Sequence, residues 1–316
     1  MRMSSESKTK QPKRPVRNRI RQSAGDRVFG AVNTLVMVLL SLIALLPVFS
    51  VFLLSVTPMA DVQRNPNAFI VWPSQITLSH FVWLFRGSSR LVDAYVITIL
   101  RTVVGTLGCL LVTVLTAYPM SKKFLPGRNG IMMFFFFTMI FTGGMVPTYI
   151  VVNSLKLTNT FWAMILPPLM SVYYMIIMRT FFQSIPEELD ESARIDGAND
   201  FIILLRIIMP LALPTLASIG LFYAVYHWNS FMDVIIYLSG GSARRLWPLQ
   251  MLLREIVINN NIGELSLGGL VQDARRPNAQ AIISCTIVVS SLPIICLYPF
   301  LQRYFVKGLM VGAVKG

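Results

Sequence analysis

Apolar residues come in six long runs along this chain, near 29–57, 93–120, 130–152, 159–180, 202–230 and 279–303, with polar stretches between them. Each run is long enough for the roughly 20 residues that a helical membrane span requires. No run alternates with the period of a strand, so the pattern predicts an all-α protein: a polytopic membrane bundle of six transmembrane helices. Prolines interrupt several runs, among them Pro47, Pro147, Pro167, Pro168, Pro210 and Pro214. Proline removes a backbone donor and kinks a helix, which membrane bundles tolerate where neighbours satisfy the freed carbonyls. Gly143-Gly144 ahead of Pro147 predicts a break or a re-entrant bend.

The polar stretches set the expected topology. Residues 1–27 hold nine Lys/Arg, with Pro12, Pro15 and no apolar run, and read as a basic tail ahead of a transmembrane body at 28–303 and a short tail at 304–316. Six spans put both termini on one side. Residues 1–27, 121–129, 179–206 and 303–316 then share that side and hold 18 of the 28 Lys/Arg. Basic residues accumulate in cytoplasmic loops, so both termini are expected in the cytoplasm. The outer segments are expected near 58–92, 153–158 and 238–277.

Charge and composition narrow the function. Only 13% of the 316 residues are charged, about half the share of a soluble domain, while 54% are hydrophobic. The net charge of +14 is accounted for by topology; no basic stripe interleaved with aromatics points to nucleic acid. Cys109, Cys285 and Cys296 lie in apolar runs without metal-ligand spacing and read as small buried hydrophobes. The two histidines, His80 and His227, form no metal motif. Arg101 is the clearest ionisable residue inside a span, while Asp233 lies near a span end. A proton- or sodium-coupled carrier generally buries a relay of carboxylates or His, and no such set stands out. No Gly-Lys pair exists, so a Walker-type phosphate loop is excluded. The chain is expected to be no enzyme and to hold no cofactor.

One polar segment stands apart. Ile185-Pro-Glu-Glu-Leu-Asp-Glu-Ser-Ala-Arg-Ile-Asp-Gly-Ala198 lies between two apolar runs. It predicts a helix within about 184–198, with Ser184 and Glu187 as a capping box, acidic residues at its positive end and Gly197 as its stop. Asn199 or Asp200 would cap the next helix. The small residues Ser192, Ala193 and Ala198 would let another protein approach closely. Ordinary helix capping accounts for the same residues.

Glu191-Ser-Ala-Arg-Ile-Asp-Gly-Ala198, followed by Pro210-Leu-Ala-Leu-Pro214, resembles the EAA motif of ATP-binding-cassette importer permeases, with Ser192 in place of the usual Ala. Tyr223-Ala-Val-Tyr-His-Trp-Asn-Ser-Phe231 is similar to a signature of sugar-importer permeases of the maltose type. Phe141-Thr-Gly-Gly-Met-Val-Pro-Thr-Tyr149, Leu157-Thr-Asn-Thr160 and the ending Arg303 to Gly316 resemble a second-permease subgroup of that type, thought to import oligosaccharides; Lys156 replaces its usual Gly. The resemblance implies a type I importer permease in the cell membrane. Its partners would be membrane lipid, a second homologous permease, two ATP-binding subunits that hold ATP and Mg, and an extracytoplasmic solute-binding protein that delivers the carbohydrate. It implies that Glu187, Glu191, Ala193, Asp196, Gly197 and Ala198 couple to the ATPase. Tyr223, Tyr226, His227, Trp228 and Asn229 are candidates for the substrate pathway, or for an interfacial aromatic belt. An importer of another solute, and an ion-coupled carrier or channel, are the alternatives.

Overall fold

The computed structural model describes residues 23–64, 70–87, 89–259 and 280–296. The tail before Ser23, the part of the final outer segment after Asn259 and the ending after Cys296 lie outside them, so the expectations for both tails do too. Among the described residues every regular element is helical. Helix α1 runs Ala24–Val56. Its part up to Phe49 forms one compact unit, and everything from Ser50 forms a second.

The second unit contains α2 (Met59–Arg64), α3 (Ser79–Gly87) and the 33-residue α4 (Ser89–Ser121). Next come α5 (Arg128–Ile140), α6 (Met145–Ser154), a short 3-10 turn at Phe161–Met164 and α7 (Val172–Ser184). Helix α8 (Glu187–Ile195) leads into α9 (Asp200–Ile203), a π turn at Leu204–Ile208, α10 (Met209–Leu211) and α11 (Leu213–Asn229). The chain continues through α12 (Met232–Tyr237), a 3-10 turn at Gly241–Leu246, α13 (Leu249–Asn259) and α14 (Gln280–Cys296).

The apolar runs become helices in three ways. Helices α1 and α4 are each long and apolar enough to span a bilayer unbroken. Two further runs are bent pairs. α5 and α6 meet at 112° across Phe141–Gly144, where Gly144 has φ 84°. Asp200–Leu211 and Leu213–Asn229 meet at 83°. Here Pro210 and Pro214 lack the N–H groups that would continue the ladder, and the π turn precedes the break. The run expected at 159–180 is not one helix. Pro167-Pro168 keep Ile165 to Ser171 irregular, and the helix proper begins at Val172. The described part of the sixth run is α14, and Cys296 is exposed on it rather than buried.

The main core lies where α4, α7 and α11 meet. It includes Cys109, Val114 and Ala117 of α4, Met175, Met178 and Phe182 of α7, and Leu216, Ile219 and Tyr223 of α11. Glycines set the spacing of these helices. A Cβ on Gly105 would lie 2.4 Å from His227 Nε2, and one on Gly220 would lie 3.0 Å from Leu110 Cδ1. A second cluster joins α3, the start of α4, Trp228, α13 and α14. There Trp228 Nε1 donates to Ser290 O at 3.1 Å, and the Tyr95 hydroxyl donates to Val289 O.

The charge noted inside the fourth helix has a partner. Arg101 is fully buried; it donates to Ser230 O at 3.0 Å and pairs with the Asp233 carboxylate. The pair ties the middle of α4 to the point where the chain leaves α11 and begins α12. Breaking a buried pair from one side leaves an uncompensated charge, which costs more than removing both. Asp233→Ala is therefore expected to destabilise the folded protein by about 3–5 kcal/mol, and Arg101→Met with Asp233→Leu to recover most of that loss. Thermal unfolding of the purified membrane complex checks it; equal losses in the single and double variants would dismiss the pair as a structural tie. At the α4–α11 contact, Gly105→Ala is expected to cost about 1–3 kcal/mol through overpacking. His227→Ala in the same chain should relieve it, and purely additive losses would mean that the steric contact is not the cause.

Candidate functional site

The polar helix α8 is positioned by the elements on either side. Ser184 does not cap it: Ser184 belongs to α7, and its hydroxyl donates back to Phe181 O at 2.7 Å. Pro186 occupies the cap position, with φ −55° and ψ 133°, and offers no side-chain hydrogen bond. The capping box is thus replaced by a proline that ends α7 and starts α8 in one residue. Proline disfavours helical backbone in the residue before it, and Ile185 is extended, with ψ 131°. The acidic first turn remains, with Glu187, Glu188 and Asp190 at the positive end of the helix.

The other end closes on glycine. Gly197 has φ 82°; its N–H donates to Arg194 O at 3.0 Å, and Ala198 N–H donates to Ala193 O at 2.9 Å. These two bonds form a Schellman motif, which satisfies the last carbonyls of α8. Asn199 then caps the next helix, its side-chain oxygen accepting from Ile202 N at 2.9 Å. No atom lies within 4 Å of a Cβ placed on Gly197. The position requires glycine for its backbone angle and leaves open space beside it.

An ionic cluster fixes α8 against the end of α4. Asp190 accepts from Lys122 Nζ at 2.7 Å and from Arg194 Nε at 3.2 Å, and Arg194 also pairs with Asp200. Burial disfavours the Asp190 carboxylate, but the hydrogen bonds from Lys122 and Arg194 outweigh it and hold its pKa below the usual range. Glu187 meets Lys123 at 2.7 Å with both side chains exposed, a contact of little energetic weight. The Arg194 guanidinium lies 5.4 Å from the centre of the Phe124 ring. Between these residues lies a cleft of about 450 Å³, lined in part by Lys122, Phe124, Arg128, Asp190, Glu191 and Arg194.

The residues singled out in this segment divide into two groups. Glu187, Glu191, Asp196 and Gly197 are exposed. Ala193 is 7% exposed and packs into the main core, and Ala198 is half-buried against it. The close approach expected at Ala193 is thus made by the protein's own body. Among the described residues no cation pairs with Glu191, whereas its neighbour Asp190 is held by two. Two apolar side chains, Leu189 and Ile195, are 42% and 86% exposed on this otherwise polar helix.

The other candidate set scatters. Tyr223, His227 and Trp228 are buried in the protein's own packing. Tyr223 shares a 2.8 Å hydrogen bond with Thr113, and His227 lies against Gly105 with Nε2 3.5 Å from Cys109 Sγ. Tyr226 and Asn229 are exposed, although Asn229 also donates to Val225 O at 3.0 Å. The aromatic signature therefore holds α11 to α4 and α14 more than it presents a common surface.

Two features escaped the sequence reading. Arg101 and Asp233 were visible singly, but 132 positions separate them and nothing linear signals their pairing. Arg90, Arg244 and Arg245 gather in a second cleft at the end of α4 opposite α8. The available signal was an Arg-Arg-Leu-Trp run in a segment expected outside, where basic residues are scarce.

The chain also has clear relatives. Residues 23–311 match the family described as binding-protein-dependent transport system inner membrane component. Over 293 residues the chain is 38% identical to the polygalacturonan/rhamnogalacturonan transport system permease protein YtcP of Bacillus subtilis, covering 92% of this chain and 99% of that one. Protein LplC of the same organism is 38% identical over 290 residues, covering 92% and 96%. The fold superposes with TM-score 0.82 and 31% identity on a chain of a bacterial ABC transporter involved in the import of the acidic polysaccharide alginate, covering 90% of this chain and 99% of that one. With α8 projecting from a helical membrane body of this fold, the chain belongs to the family of binding-protein-dependent transport system inner membrane components, as a permease of the type I importer fold.

Proposed function

We propose that this chain is one of two permease subunits of an ATP-driven importer for an oligosaccharide, coupled to an ATPase through α8. The carrying observation is the division of labour on that helix. Ala193 and Asp190 bind it to the permease body, while Glu191, Asp196, Leu189 and Ile195 face outward. A helix held on one side and unoccupied on the other suits a lever that a second protein grips. Its connection to α11 is short, and its contact with the α4–α5 loop is ionic. Movement of α8 would therefore be passed to the ends of two spans.

In this reading α8 and both termini lie in the cytoplasm. A second permease completes the pathway, two ATP-binding subunits hold ATP and Mg, and an extracytoplasmic binding protein delivers the sugar. The relatives named for transport of polygalacturonan, rhamnogalacturonan and alginate support a carbohydrate as cargo. Tyr226 and Asn229 are the pathway candidates that remain exposed. An ion-coupled carrier gains no support from Arg101 and Asp233, because the two charges are spent on each other.

The ATPase contact is tested by sugar uptake at matched membrane abundance. Gly197→Val has room for its side chain and pays only for the backbone angle, roughly 1–2 kcal/mol. It is expected to insert normally but to lose transport. Glu191→Lys should do the same and regain part of its activity when a basic residue of the ATPase groove is made acidic. Wild-type uptake in both variants would reduce α8 to a well-closed loop. The isolated chain should neither bind nor hydrolyse ATP above background, whereas the full complex should hydrolyse it faster with sugar-loaded binding protein. Tight ATP binding by the chain alone would contradict the assignment of that chemistry to partners.

A further inference from the structure

We propose that Arg128 and Arg179 form a site for the phosphate of an anionic lipid headgroup, at the seam between the α4–α5 loop and α7. Arg128 is the first residue of α5, and Arg179 lies near the end of α7. Both converge on backbone carbonyls at the end of α4. Arg179 Nε donates to Met120 O at 2.8 Å, and Arg128 Nη1 donates to Lys122 O at 3.5 Å. The two guanidinium groups stand close enough to repel each other. Neighbouring cations are neutralised: Lys122 meets Asp190, Lys123 meets Glu187, and Arg194 meets Asp190 and Asp200. Among the described residues no carboxylate reaches Arg128 or Arg179, whose partners are the two neutral carbonyls.

The donors left over can be reached. A guanidinium carries five N–H groups in a planar fork, and a single carbonyl occupies one. Both side chains are half-buried, and neither holds a nitrogen sealed away without a partner, as Arg101 does at Nε. Carbonyls at a helix end attract a cation. A second guanidinium beside the first adds a repulsion that an anion between them removes. The setting selects the anion. Beyond Arg128, α5 exposes Ile131, Met133, Phe134 and Phe137, an apolar face that leads away from the charges. Paired cations with apolar surface beyond them match an amphiphile with an anionic head. Phosphate oxygens take paired hydrogen bonds from guanidinium forks, and basic pockets between spans hold anionic headgroups in this way. A zwitterionic headgroup brings its own cation and relieves less of the repulsion. Arg128 also lines the cleft beside α8. A headgroup here would brace the loop whose Lys122 holds Asp190 of α8.

The test uses the full chain purified in detergent with its partner subunits. Native mass spectrometry counts the lipid retained during titration with dioleoyl phosphatidylglycerol or dioleoyl phosphatidylcholine. Wild type is expected to hold the anionic lipid more tightly. Arg128→Gln together with Arg179→Gln should weaken that binding about tenfold and leave phosphatidylcholine unchanged. Arg179→Lys alone keeps the charge and should retain most of the affinity, which separates loss of the anion from loss of the Met120 contact. Arg206→Gln is the control: Arg206 is exposed at the π turn that follows α8, and no described residue pairs with it. It should change nothing. An equal effect of Arg206→Gln would reduce the preference to the general basic charge of this side and overturn the site. Equal weakening of both lipids would overturn it too, since the arginines would then act through packing. No weakening of either would assign the pair to a carboxylate of a protein partner. Displacement of the retained lipid by inorganic phosphate at equal concentration would make the ligand a free anion and overturn the lipid. None of these measurements reads transport, so failure here leaves the importer reading standing.

Discussion

Close contact between α4 and its neighbours is the constraint on which this molecule depends. Lipid is as apolar as leucine, so helices in a bilayer are not driven together by burial; they gain from packing that small residues permit. Gly105 lies under the His227 ring, a Cβ on Gly108 would lie 3.0 Å from Leu169 Cδ1, and one on Gly220 would crowd Leu110 from the α11 side. With α11 and α7 held this near, the Thr113–Tyr223 hydrogen bond forms and the Arg101–Asp233 pair closes. Both clefts lie at the two ends of the same rod. α4 rises over about 48 Å, with the arginine cleft at one end and the α8 cluster at the other.

The α8 cluster follows a different logic. It is mostly solvated, and its exposed pair Lys123–Glu187 contributes little. Its strength lies in Asp190, which has two cationic donors and is shielded by the helix it anchors. Position 190 faces the body while 191 faces away, because neighbouring residues on a helix point about 100° apart. An acidic pair in the sequence thereby becomes one fastening and one free charge.

Much of this was legible in the residues. The helical class follows from unbroken apolar runs, and the turn at Gly197 follows from a glycine placed after a short polar helix. The bend at Gly143-Gly144 could be read in the same way. The fourth apolar run could not be placed correctly from hydropathy, because a proline pair leaves the run apolar while removing the backbone donors that a helix needs. Ser184 looked like a cap because the serine-to-glutamate spacing is right, yet α7 extends through it. Tyr223, His227 and Trp228 looked like sugar contacts because their types suit that role. Whether an aromatic faces a pathway or a glycine on the next helix depends on packing between residues over a hundred positions apart. The Arg101–Asp233 pair and the arginine cleft were hidden for the same reason.

The π turn at Leu204–Ile208 gives the segment between α8 and α11 a mechanical meaning. Met209 N–H reaches back five residues to Leu204 O, so the helix absorbs one residue beyond its ordinary turn. One residue is about 100° of rotation. The π turn thus acts as a phase adjuster, setting the direction in which α8 faces relative to the span that follows. The number of residues between Gly197 and Pro210 is then an angle as much as a length. A single deletion there would turn the free face of α8 by more than a quarter of a revolution while leaving every hydrophobic run intact.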